Sequence, residues 1–349
     1  MRSFFNTPDA MLAEPCTVVT VRAPGRLHLG FLDPAGSLGR RFGSLGLVVN
    51  GFETEVELMA SPGGQVTACG VGGPAELARA AACLDLLQRH SGRHAPLRLR
   101  LLRLLPAHAG FGSGTQLALA IGRAFAHWHG LDVSTPTLAQ WLGRGLRSGV
   151  GIAGFDQGGL LVDGGPGADG AAASVLARLA LPAAWRVLVV QDGAHQGLSG
   201  AEERRAMATL APLPQALAAD ICHQVLMRVL PGAAGAEFAP FAAGITRIQQ
   251  VLGEHFASAQ GGSAFTSAGV GRLIEWIARP GEPAAATGQS SWGPTGFAIL
   301  PSQAQAEAAV AAARAANVIA PGLTLRIVCA RNTGATLVDH RRAPGMPLG

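Results

Sequence analysis

The chain has 349 residues, of which 48% are hydrophobic and 14% are charged, and its formal net charge at pH 7 is +5. This length exceeds what one hydrophobic core usually supports, and the composition excludes a disordered chain, so we expect a globular protein of two domains. All 27 basic residues are arginine, which excludes a Schiff-base lysine for pyridoxal phosphate and the lysine of a Walker A loop.

The same composition limits the partners and the location that we expect. Scattered arginines and only 5% aromatic residues argue against a nucleic-acid partner. No segment is an uninterrupted membrane span, and residues 1–15 lack the apolar centre of a signal peptide. The five cysteines are far apart, without a Cys-x-x-Cys pair, which is typical of reduced thiols. We therefore expect a cytoplasmic protein with no nucleic acid and no membrane as partner.

Alternating apolar patterns predict strands in the first half of the chain, and stretches rich in alanine and leucine predict helices. The predicted strands are residues 17–22, 27–31, 45–50, 52–59, 97–105 and 160–162. The predicted helices are residues 74–90, 115–129 and 135–147. Composition shifts between residues 164 and 184, so we assign residues 1–170 and 171–349 to the two domains.

The second half of the chain contains more helix than strand. Its predicted strands are residues 185–191, 297–300, 323–329 and 335–338, and its predicted helices are residues 201–210, 214–229, 236–256, 267–278 and 302–316. Residues 191–195 follow a strand and either reach a functional site or form a surface turn. Because strands and helices do not alternate at regular β-α-β spacing, an α+β fold is favoured over a doubly wound parallel sheet.

A glycine-rich loop with the sequence LPAHAGFGSGTQ, residues 105–116, joins a predicted strand to a predicted helix. Its glycines let the backbone approach a ligand closely, and the helix start adds N–H donors and the positive end of a dipole. The glycines are Gly110, Gly112 and Gly114, and the neighbouring polar residues are Ser113, Thr115 and Gln116. This pattern predicts a phosphate or pyrophosphate site, the alternative being a strand-to-helix connection without a ligand.

A second motif, APGRLHLGFLD at residues 23–33, precedes the loop. A strand here places Arg26, His28 and Gly30 on one face. Arg26 could bind a phosphate bidentately, and His28 could orient a substrate or shuttle a proton. The alternative is a strand edge with a solvated arginine and a hydrogen-bonded histidine.

A third motif, GQSSWGPTGFA at residues 288–298, combines small, polar and turn-forming residues before an apolar strand. Trp292 could stack on an aromatic ring. Three polar residues before it, Gln289, Ser290 and Ser291, could bind polar substituents of that ring. The alternative is a tight loop with a packed tryptophan.

These three motifs, in this order, resemble the small-molecule kinase superfamily of galactokinase, homoserine kinase, mevalonate kinase and phosphomevalonate kinase. The resemblance implies a ribosomal S5 domain 2-like N-terminal domain and a ferredoxin-like C-terminal domain. It extends to residues 148–159, SGVGIAGFDQGG, where the superfamily places a glycine-rich segment ending in an aspartate that is often the catalytic base. Asp156 matches that position, and a helix cap or loop carboxylate is its alternative role.

The finer sequence is similar to one branch, the β-ribofuranosylaminobenzene 5′-phosphate synthases. This similarity is carried by His108 with GSGTQ at residues 112–116, by GFDQGG at 154–159 and by GQSSWGPT at 288–295. It extends from about residue 19 to residue 338. The kinase loop usually reads Gly-Leu-Gly-Ser-Ser, whereas this chain has Thr-Gln after its Gly-Ser-Gly core.

Synthases of this branch, in the tetrahydromethanopterin pathway, join phosphoribosyl pyrophosphate to 4-aminobenzoate, or in some members to 4-hydroxybenzoate, and release CO₂ and pyrophosphate. The resemblance implies that the glycine-rich loop, Arg26 and a Mg²⁺ bound with help from Ser113 or Thr115 neutralise the pyrophosphate. It implies that Asp156 stabilises the ribosyl cation and that His28 or His108 tunes the para group of the ring.

The remaining implied substrate contacts are those of Gln116, Gln157 and the polar residues of the third motif, with Trp292 holding the ring. A homodimer is plausible by the same analogy. Two rival functions stay open: an ATP-dependent kinase with Asp156 as base, and a non-catalytic relative that binds a phosphorylated metabolite as a sensor.

Overall fold

The computed structural model describes residues 17–167, 172–197, 200–279 and 284–341, without the side chains of residues 200–204. The segment considered as a possible signal peptide lies outside these residues, as does part of the predicted domain boundary. Within the described residues, no helix combines the length and the apolar character that crossing a bilayer requires.

The described elements build two sheets and the helices that cover them. The strands are β1 (Val19–Asp33), β2 (Phe42–Ala60), β3 (Gln65–Ala68), β4 (Leu97–Arg103), β5 (Leu160–Asp163), β6 (Val175–Leu179), β7 (Arg186–Asp192), β8 (Ala286–Gln289), β9 (Thr295–Leu300), β10 (Leu323–Val328) and β11 (Thr336–Asp339). The α-helices are α1 (Pro74–Ser91), α2 (Ser113–Trp128), α3 (Thr135–Trp141), α4 (Val150–Gln157), α5 (Gly200–Thr209), α6 (Gln215–Gln224), α7 (Leu230–Ala234), α8 (Phe238–Phe256), α9 (Ala268–Ile277) and α10 (Gln303–Ala315). A π-helical turn, Val225–Val229, joins α6 to α7, and a 3₁₀ turn, Ala257–Gln260, follows α8.

The first sheet has the strand order β11-β1-β2-β4-β3, and β5 pairs with β2 and with β6. Its pairs are antiparallel except β3 with β4. Helices α1 and α2 cover it, and a core of fully buried side chains such as Leu87, Leu99 and Phe125 fills the space between them. Burial of this apolar surface is what holds the two helices on the sheet.

Strand β1 merges two predicted strands, because bulges bend it where the sequence suggested a break. Its register with β2 shifts between Pro24 and Arg26 and again between His28 and Gly30. A bulge adds a residue to one strand and re-aims the side chains beside it. Arg26 and His28 lie between the two bulges and share a face, whereas Gly30 follows the second. The shared face predicted for Arg26, His28 and Gly30 is therefore found for Arg26 and His28 only.

The second sheet has the antiparallel order β10-β7-β9-β8. Its strands follow one another as strand, helices, strand, strand, helix and strand, which is the connectivity of a ferredoxin-like domain. Helices α9 and α10 pack against it through a separate apolar core that includes Ile274 and Ala313. The α+β class and the ferredoxin-like second domain are thereby confirmed.

Sheet membership divides the chain differently from the predicted boundary at residue 170. Strand β6 still pairs with β5 in the first sheet, so the chain crosses to the second sheet only after Leu179. Strand β11 then returns and pairs with β1. The predicted boundary did not include β6 and β11 with the first sheet, because composition does not reveal which strands pair.

Helix α4 forms where the sequence suggested only a glycine-rich segment around a strand. It lies so close to β2 that a methyl group on Gly154 would lie 2.8 Å from the Val48 side chain. Glycine is a weak helix former, so the helix depends on this tertiary packing and on its N-terminal hydrogen bonds. The buried Asp163 carboxylate accepts hydrogen bonds from the Gly149 and Val150 amides at that end. The predicted helix before it, 135–147, ends earlier, at Trp141.

Candidate active site

The three sequence motifs meet at the carbonyl group of Gly110. Gly110 has a φ of +89°, and a methyl group on it would lie 2.6 Å from the Ser290 carbonyl oxygen. Its own carbonyl accepts hydrogen bonds from Arg26 Nη1 at 3.0 Å and from Ser290 Oγ at 2.7 Å. Ser290 Oγ in turn accepts one from the His28 backbone N–H at 2.9 Å. One carbonyl and one hydroxyl thus join β1, the loop and the third motif.

The start of α2 provides an anion-binding surface beside this junction. Gly112 is the N-cap, with a φ of +72°, and no side chain caps the helix. Helix N-terminal amides without a cap favour an anion. A methyl group on Gly112 would lie 3.1 Å from Arg26 Cζ, and one on Gly114 would lie 3.5 Å from Arg144 Nη1. Two guanidinium groups therefore flank the loop. Arg144 belongs to no motif, and nothing in the sequence singled it out.

The hydroxyls predicted to help hold Mg²⁺, those of Ser113 and Thr115, lie in the first turn of α2. Across the described parts of the chain, no group of three or more His, Cys, Asp or Glu side chains is arranged to hold a metal. Mg²⁺ in proteins is usually held by one or two carboxylates together with substrate phosphates. Hydroxyls alone do not make a resident metal site. They fit a Mg²⁺ that arrives already bound to a pyrophosphate.

Gln116 lies behind the loop. Its side chain is fully buried, and its amide Nε2 donates a hydrogen bond of 2.8 Å to the Gly151 carbonyl. It therefore connects α2 to α4 beneath the anion-binding surface. The substrate contact predicted for it is replaced by a structural contact, because the side chain points into the protein.

Asp156 is placed away from the junction, which is a correction to the role predicted for it. It is exposed at the C-terminal end of α4, and its Oδ1 accepts a hydrogen bond of 2.6 Å from Thr135 Oγ1. Arg123 Nη2 donates to the same Thr135 hydroxyl at 2.5 Å. Arg123 lies ten residues along α2 from Ser113, which corresponds to about 15 Å of helix.

The other end of α4 faces the loop. A methyl group on Gly151 would lie 3.4 Å from Thr115 Cγ2 and 3.9 Å from Arg26 Nε. The exposed Gln157 is next to Asp156, and its carbonyl accepts a hydrogen bond from Arg178. Gln157 thus lies, like Asp156, at the end of α4 away from the loop, and the substrate contact predicted for it stays a prediction. The motif match was right about the segment and wrong about which of its ends reaches the loop.

A small, partly open cavity lies on the other side of the junction. Its volume is about 30 Å³, and aromatic and neutral polar side chains line it. They include His28, Phe31, Phe256, Gln260, Gln289 and Trp292. The rings pack at tilted angles, with centroid distances of 4.7 Å for His28 and Phe31 and 4.6 Å for Phe256 and Trp292. None of the described side chains in the lining is a carboxylate.

The amide and hydroxyl groups of the third motif are mostly used within the protein. Gln289 Oε1 accepts from the Thr266 N–H at 2.6 Å, and its Nε2 donates to Gln260 Oε1 and to the Ser291 carbonyl. Ser290 is bound to Gly110, as described above. Of the residues predicted to contact substrate, Gln289, Ser291 and Trp292 line the cavity, and the hydrogen bonds of Gln289 and Ser290 hold its wall in place.

Burial keeps the His28 imidazole neutral. Desolvation, followed by the nearby positive charges of Arg26 and Arg147, lowers the pKa of His28 to about 3. Only 3% of the residue is exposed. Burial disfavours the charged form of a histidine, and neighbouring cations add to that effect. At neutral pH the ring therefore offers one N–H donor and one acceptor nitrogen.

We expect this depressed pKa to appear in the pH dependence of stability. Below pH ~6.5, His28 is protonated in the unfolded chain but not in the folded chain. The contribution of the neutral His28 to the free energy of unfolding is therefore complete above that pH and is lost as the pH falls towards 3. Between pH 7 and pH 5, the wild type should lose about 2 kcal/mol more unfolding free energy than His28→Gln. Urea unfolding at both pH values measures this difference. Trp292→Phe, which removes no titrating group from the same cavity, should keep the wild-type slope.

The segment after β7 covers the junction from the second domain. The Gly197 N–H donates to the His108 carbonyl at 3.0 Å. Asp192 accepts hydrogen bonds from Ser267 Oγ at 2.6 Å and pairs with His195 Nδ1 at 2.8 Å. Burial alone would raise the pKa of Asp192, but hydrogen bonds from Ser267 and the Ala194 amide, with the pairing to His195, hold it below its usual value. Residues 193–195 thus form an exposed turn, one of the two arrangements left open by the sequence, and the contact with the loop is made by Gly197 after them.

His108 is placed in the loop and not in the cavity. It is half-buried, with a φ of +56°, and its carbonyl is bound by the segment just described. Of the two histidines considered for catalysis, His28 lines the cavity. The sequence could not separate them, because both are close to glycine-rich turns.

Comparison with known families defines the class of protein. The GHMP kinases N terminal domain matches residues 77–161, and the GHMP kinases C terminal domain matches residues 239–319. Homoserine kinase from Cytophaga hutchinsonii has a TM-score of 0.64 at 16% identity, covering 97% of this chain and 100% of that one. Mevalonate diphosphate decarboxylase from Staphylococcus aureus has a TM-score of 0.65 at 14% identity, covering 93% and 98%. The chain therefore has the GHMP kinase fold, which by itself assigns no reaction.

Two curated relatives identify the branch within that class. Beta-ribofuranosylphenol 5′-phosphate synthase of Archaeoglobus fulgidus is 33% identical over 299 residues, covering 82% of this chain and 89% of the relative. The synthase of the same name from Methanothermobacter thermautotrophicus is 29% identical over 335 residues, covering 91% and 98%. The chain belongs to the beta-ribofuranosylphenol 5′-phosphate synthase family. The synthase branch that the motifs predicted is thereby confirmed.

Proposed function

We propose that the protein joins phosphoribosyl pyrophosphate to a para-substituted benzoate, 4-hydroxybenzoate or 4-aminobenzoate, and releases CO₂ and pyrophosphate. The product would be a ribofuranosyl arene 5′-phosphate in tetrahydromethanopterin biosynthesis. The observation that carries the proposal is the contact between an anion-binding loop and a partly open, uncharged cavity lined by aromatic rings, through Gly110 and Ser290. Kinase chemistry with an alcohol acceptor has no need for such a cavity.

The loop side would bind the pyrophosphate of the donor. As the bond from the ribosyl carbon to pyrophosphate breaks, both electrons leave with the pyrophosphate, and its negative charge grows. Arg26, Arg144 and the open N-terminus of α2 are positioned to neutralise that charge. Mg²⁺ would enter as the counter-ion of the donor, with the hydroxyls of Ser113 and Thr115 beside it. Departure leaves a ribosyl carbon with cationic character.

The cavity side would hold the ring. The ring carbon that bears the carboxylate attacks the ribosyl carbon, and one carbon–carbon bond forms. The bond to the carboxylate then breaks, its electron pair returns to the ring, and CO₂ leaves, so no proton is transferred at that carbon. Among the described side chains no carboxylate lines the cavity, so in this proposal the departing pyrophosphate is the anion that stabilises the ribosyl cation. Asp156, bound to Thr135 at the far end of α4, has no part in this step.

The test is release of labelled CO₂ from carboxyl-labelled 4-hydroxybenzoate and 4-aminobenzoate with phosphoribosyl pyrophosphate and Mg²⁺. A parallel reaction replaces the pyrophosphate donor by ATP. Label released only with the pyrophosphate donor supports the proposal. Asp156→Asn should keep turnover within about threefold of wild type, because its exposed carboxylate is bound to Thr135 at the end of α4 opposite to the end that faces the loop.

Two other results would overturn the proposal. ATP-dependent phosphorylation of an alcohol, without release of label, would return the chain to the kinases. Pyrophosphate binding without turnover of either benzoate would favour a sensor. A loss of turnover in Asp156→Asn with unchanged folding would restore the catalytic role that the motif suggested for Asp156.

The homodimer suggested by analogy stays a prediction, which sedimentation of the same sample tests.

A further inference from the structure

Two polar groups in the cavity are buried without a hydrogen-bond partner. Among the described residues, neither ring nitrogen of His28 nor the indole Nε1 of Trp292 has one. Both residues are only 3% exposed, and both line the same cavity. Burying a polar group without a partner costs free energy, on the order of 1–3 kcal/mol each. Such groups at a cavity wall indicate a ligand that completes their hydrogen bonds.

The side-chain amides of the lining already have partners among the described residues, so the fully buried groups without a partner there are those of this pair. Gln249 donates to the Leu29 carbonyl at 2.7 Å and accepts from the Gln289 N–H at 2.7 Å. Gln289 is held by Thr266 and Gln260, as described above. What remains is a neutral imidazole, which can donate one hydrogen bond and accept another, and an indole N–H, which can only donate a hydrogen bond.

A hydroxyl on an aromatic ring can pair with one nitrogen of the imidazole and with the indole N–H. Its hydrogen is donated to the free imidazole nitrogen, and its oxygen accepts from the indole N–H. An aromatic amine can donate to the imidazole, but its nitrogen lone pair is delocalised into the ring and accepts poorly. An ether oxygen can accept from the indole but has no hydrogen to donate. The unpartnered pair therefore matches a phenol better than an aniline or an ether.

The orientation follows from where the chemistry must occur. The ring carbon that is attacked has to face the ribosyl carbon, which the pyrophosphate holds at the loop. The para substituent then points away from the loop and into the cavity. None of the described side chains in the lining is charged, so the neutral end of the ring, and not its carboxylate, is the end that the cavity can accept.

We infer that His28 and Trp292 form the pair that reads the para substituent of the acceptor, with His28 accepting its hydrogen and Trp292 donating to its oxygen. This inference rests on the proposed function. By drawing the phenol hydrogen towards itself, His28 also increases electron donation into the ring at the attacked carbon. Both residues are thus positioning and specificity residues for the acceptor, and neither transfers a group.

The cavity must widen to hold a ring, since about 30 Å³ corresponds to two or three water positions. Gln260 is one lining side chain whose movement would widen it. It ends the 3₁₀ turn after α8 and is followed by Gly261 and Gly262, both at positive φ. Its amide nitrogen makes only long contacts, 3.4 Å to the Ser263 and Ala264 carbonyls, but the movement has to break the 2.9 Å hydrogen bonds that its Oε1 accepts from Thr266 and Gln289.

The experiment is calorimetric binding of four probes to the intact protein: benzoate, 4-hydroxybenzoate, 4-aminobenzoate and 4-methoxybenzoate. Inorganic pyrophosphate and Mg²⁺ are present in each titration. The wild type should bind 4-hydroxybenzoate about 10-fold more tightly than benzoate or 4-methoxybenzoate, with 4-aminobenzoate between them. His28→Leu should abolish the preference over benzoate, and His28→Gln, which keeps an acceptor, should restore part of it. Trp292→Phe should reduce the preference for hydroxyl over amine.

The matched control is His129→Leu, because His129 also packs at a tilt against a phenylalanine, Phe125, and also has a buried ring nitrogen without a partner. It should leave all four affinities unchanged. The inference is overturned if His28→Leu weakens all four probes equally, if it keeps the wild-type preference, or if the wild type binds none of them. Labelled CO₂ release by the wild type, measured separately, shows whether the proposed reaction itself has failed.

Discussion

Arg26→Ala should lower kcat/KM for phosphoribosyl pyrophosphate by about 10³-fold, since removing a donor aimed at developing negative charge typically costs 10²–10³. The Arg26 guanidinium lies against Gly112 and donates to the Gly110 carbonyl, so it is beside the α2 N-terminus where the pyrophosphate would sit. Arg26→Lys should recover only part of the loss, because an ammonium group cannot reproduce the planar fork of the guanidinium. Steady-state kinetics and calorimetric binding of inorganic pyrophosphate measure the effect.

The matched control is Arg22→Ala, on the same strand. Arg22 pairs with Glu55 at 2.9 Å, and its side chain is 54% exposed. Arg22→Ala removes the same charge from β1 at a surface position, where an ion pair contributes little to stability. Its kinetics should stay within about twofold of wild type. If Arg26→Ala binds pyrophosphate as the wild type does, or if both variants lose the same activity, Arg26 is not part of the anion site.

The sequence predicted the parts of this protein whose local pattern determines their role. The family and the two-domain α+β fold are confirmed. They were predicted from short contiguous motifs, which can be identified in the sequence without knowledge of the tertiary structure. Glycines at 110 and 112 predicted a loop before a helix whose backbone can approach a neighbour closely, and both have a positive φ. The helix lengths of α1 and α8 also follow from periodic apolar residues, which a single stretch of chain displays in full.

The parts that failed depend on contacts between distant segments. Asp156 lies in a matching motif, but α4 is a helix, and eight residues are enough to place its two ends at different sites. Arg144 and Gln249 reach the site from segments without any motif, so only the tertiary structure reveals them. The role of His28 depends on its burial and on the absence of a partner among the described residues, neither of which a sequence displays.

Gly110→Ala should reduce turnover by more than 100-fold and unfolding free energy by about 3 kcal/mol, through two separate costs. A positive φ costs a non-glycine residue on the order of 1 kcal/mol. In addition, the new methyl group would lie 2.6 Å from the Ser290 carbonyl oxygen, so the loop has to move away from the third motif. That movement breaks the hydrogen bond from Ser290 Oγ to the Gly110 carbonyl, the contact that joins the anion-binding loop to the cavity.

Gly70→Ala separates the two costs. Gly70 has a φ of +70°, and a methyl group on it would have no neighbour within 4 Å. It should therefore lose only the conformational term, about 1 kcal/mol, and keep wild-type turnover. Urea unfolding and CO₂ release on both variants provide the comparison. Equal losses of stability, with turnover preserved in Gly110→Ala, would mean that the close approach of the loop to Ser290 is not required. A larger loss in Gly110→Ala alone assigns the difference to that approach, because the backbone term is matched.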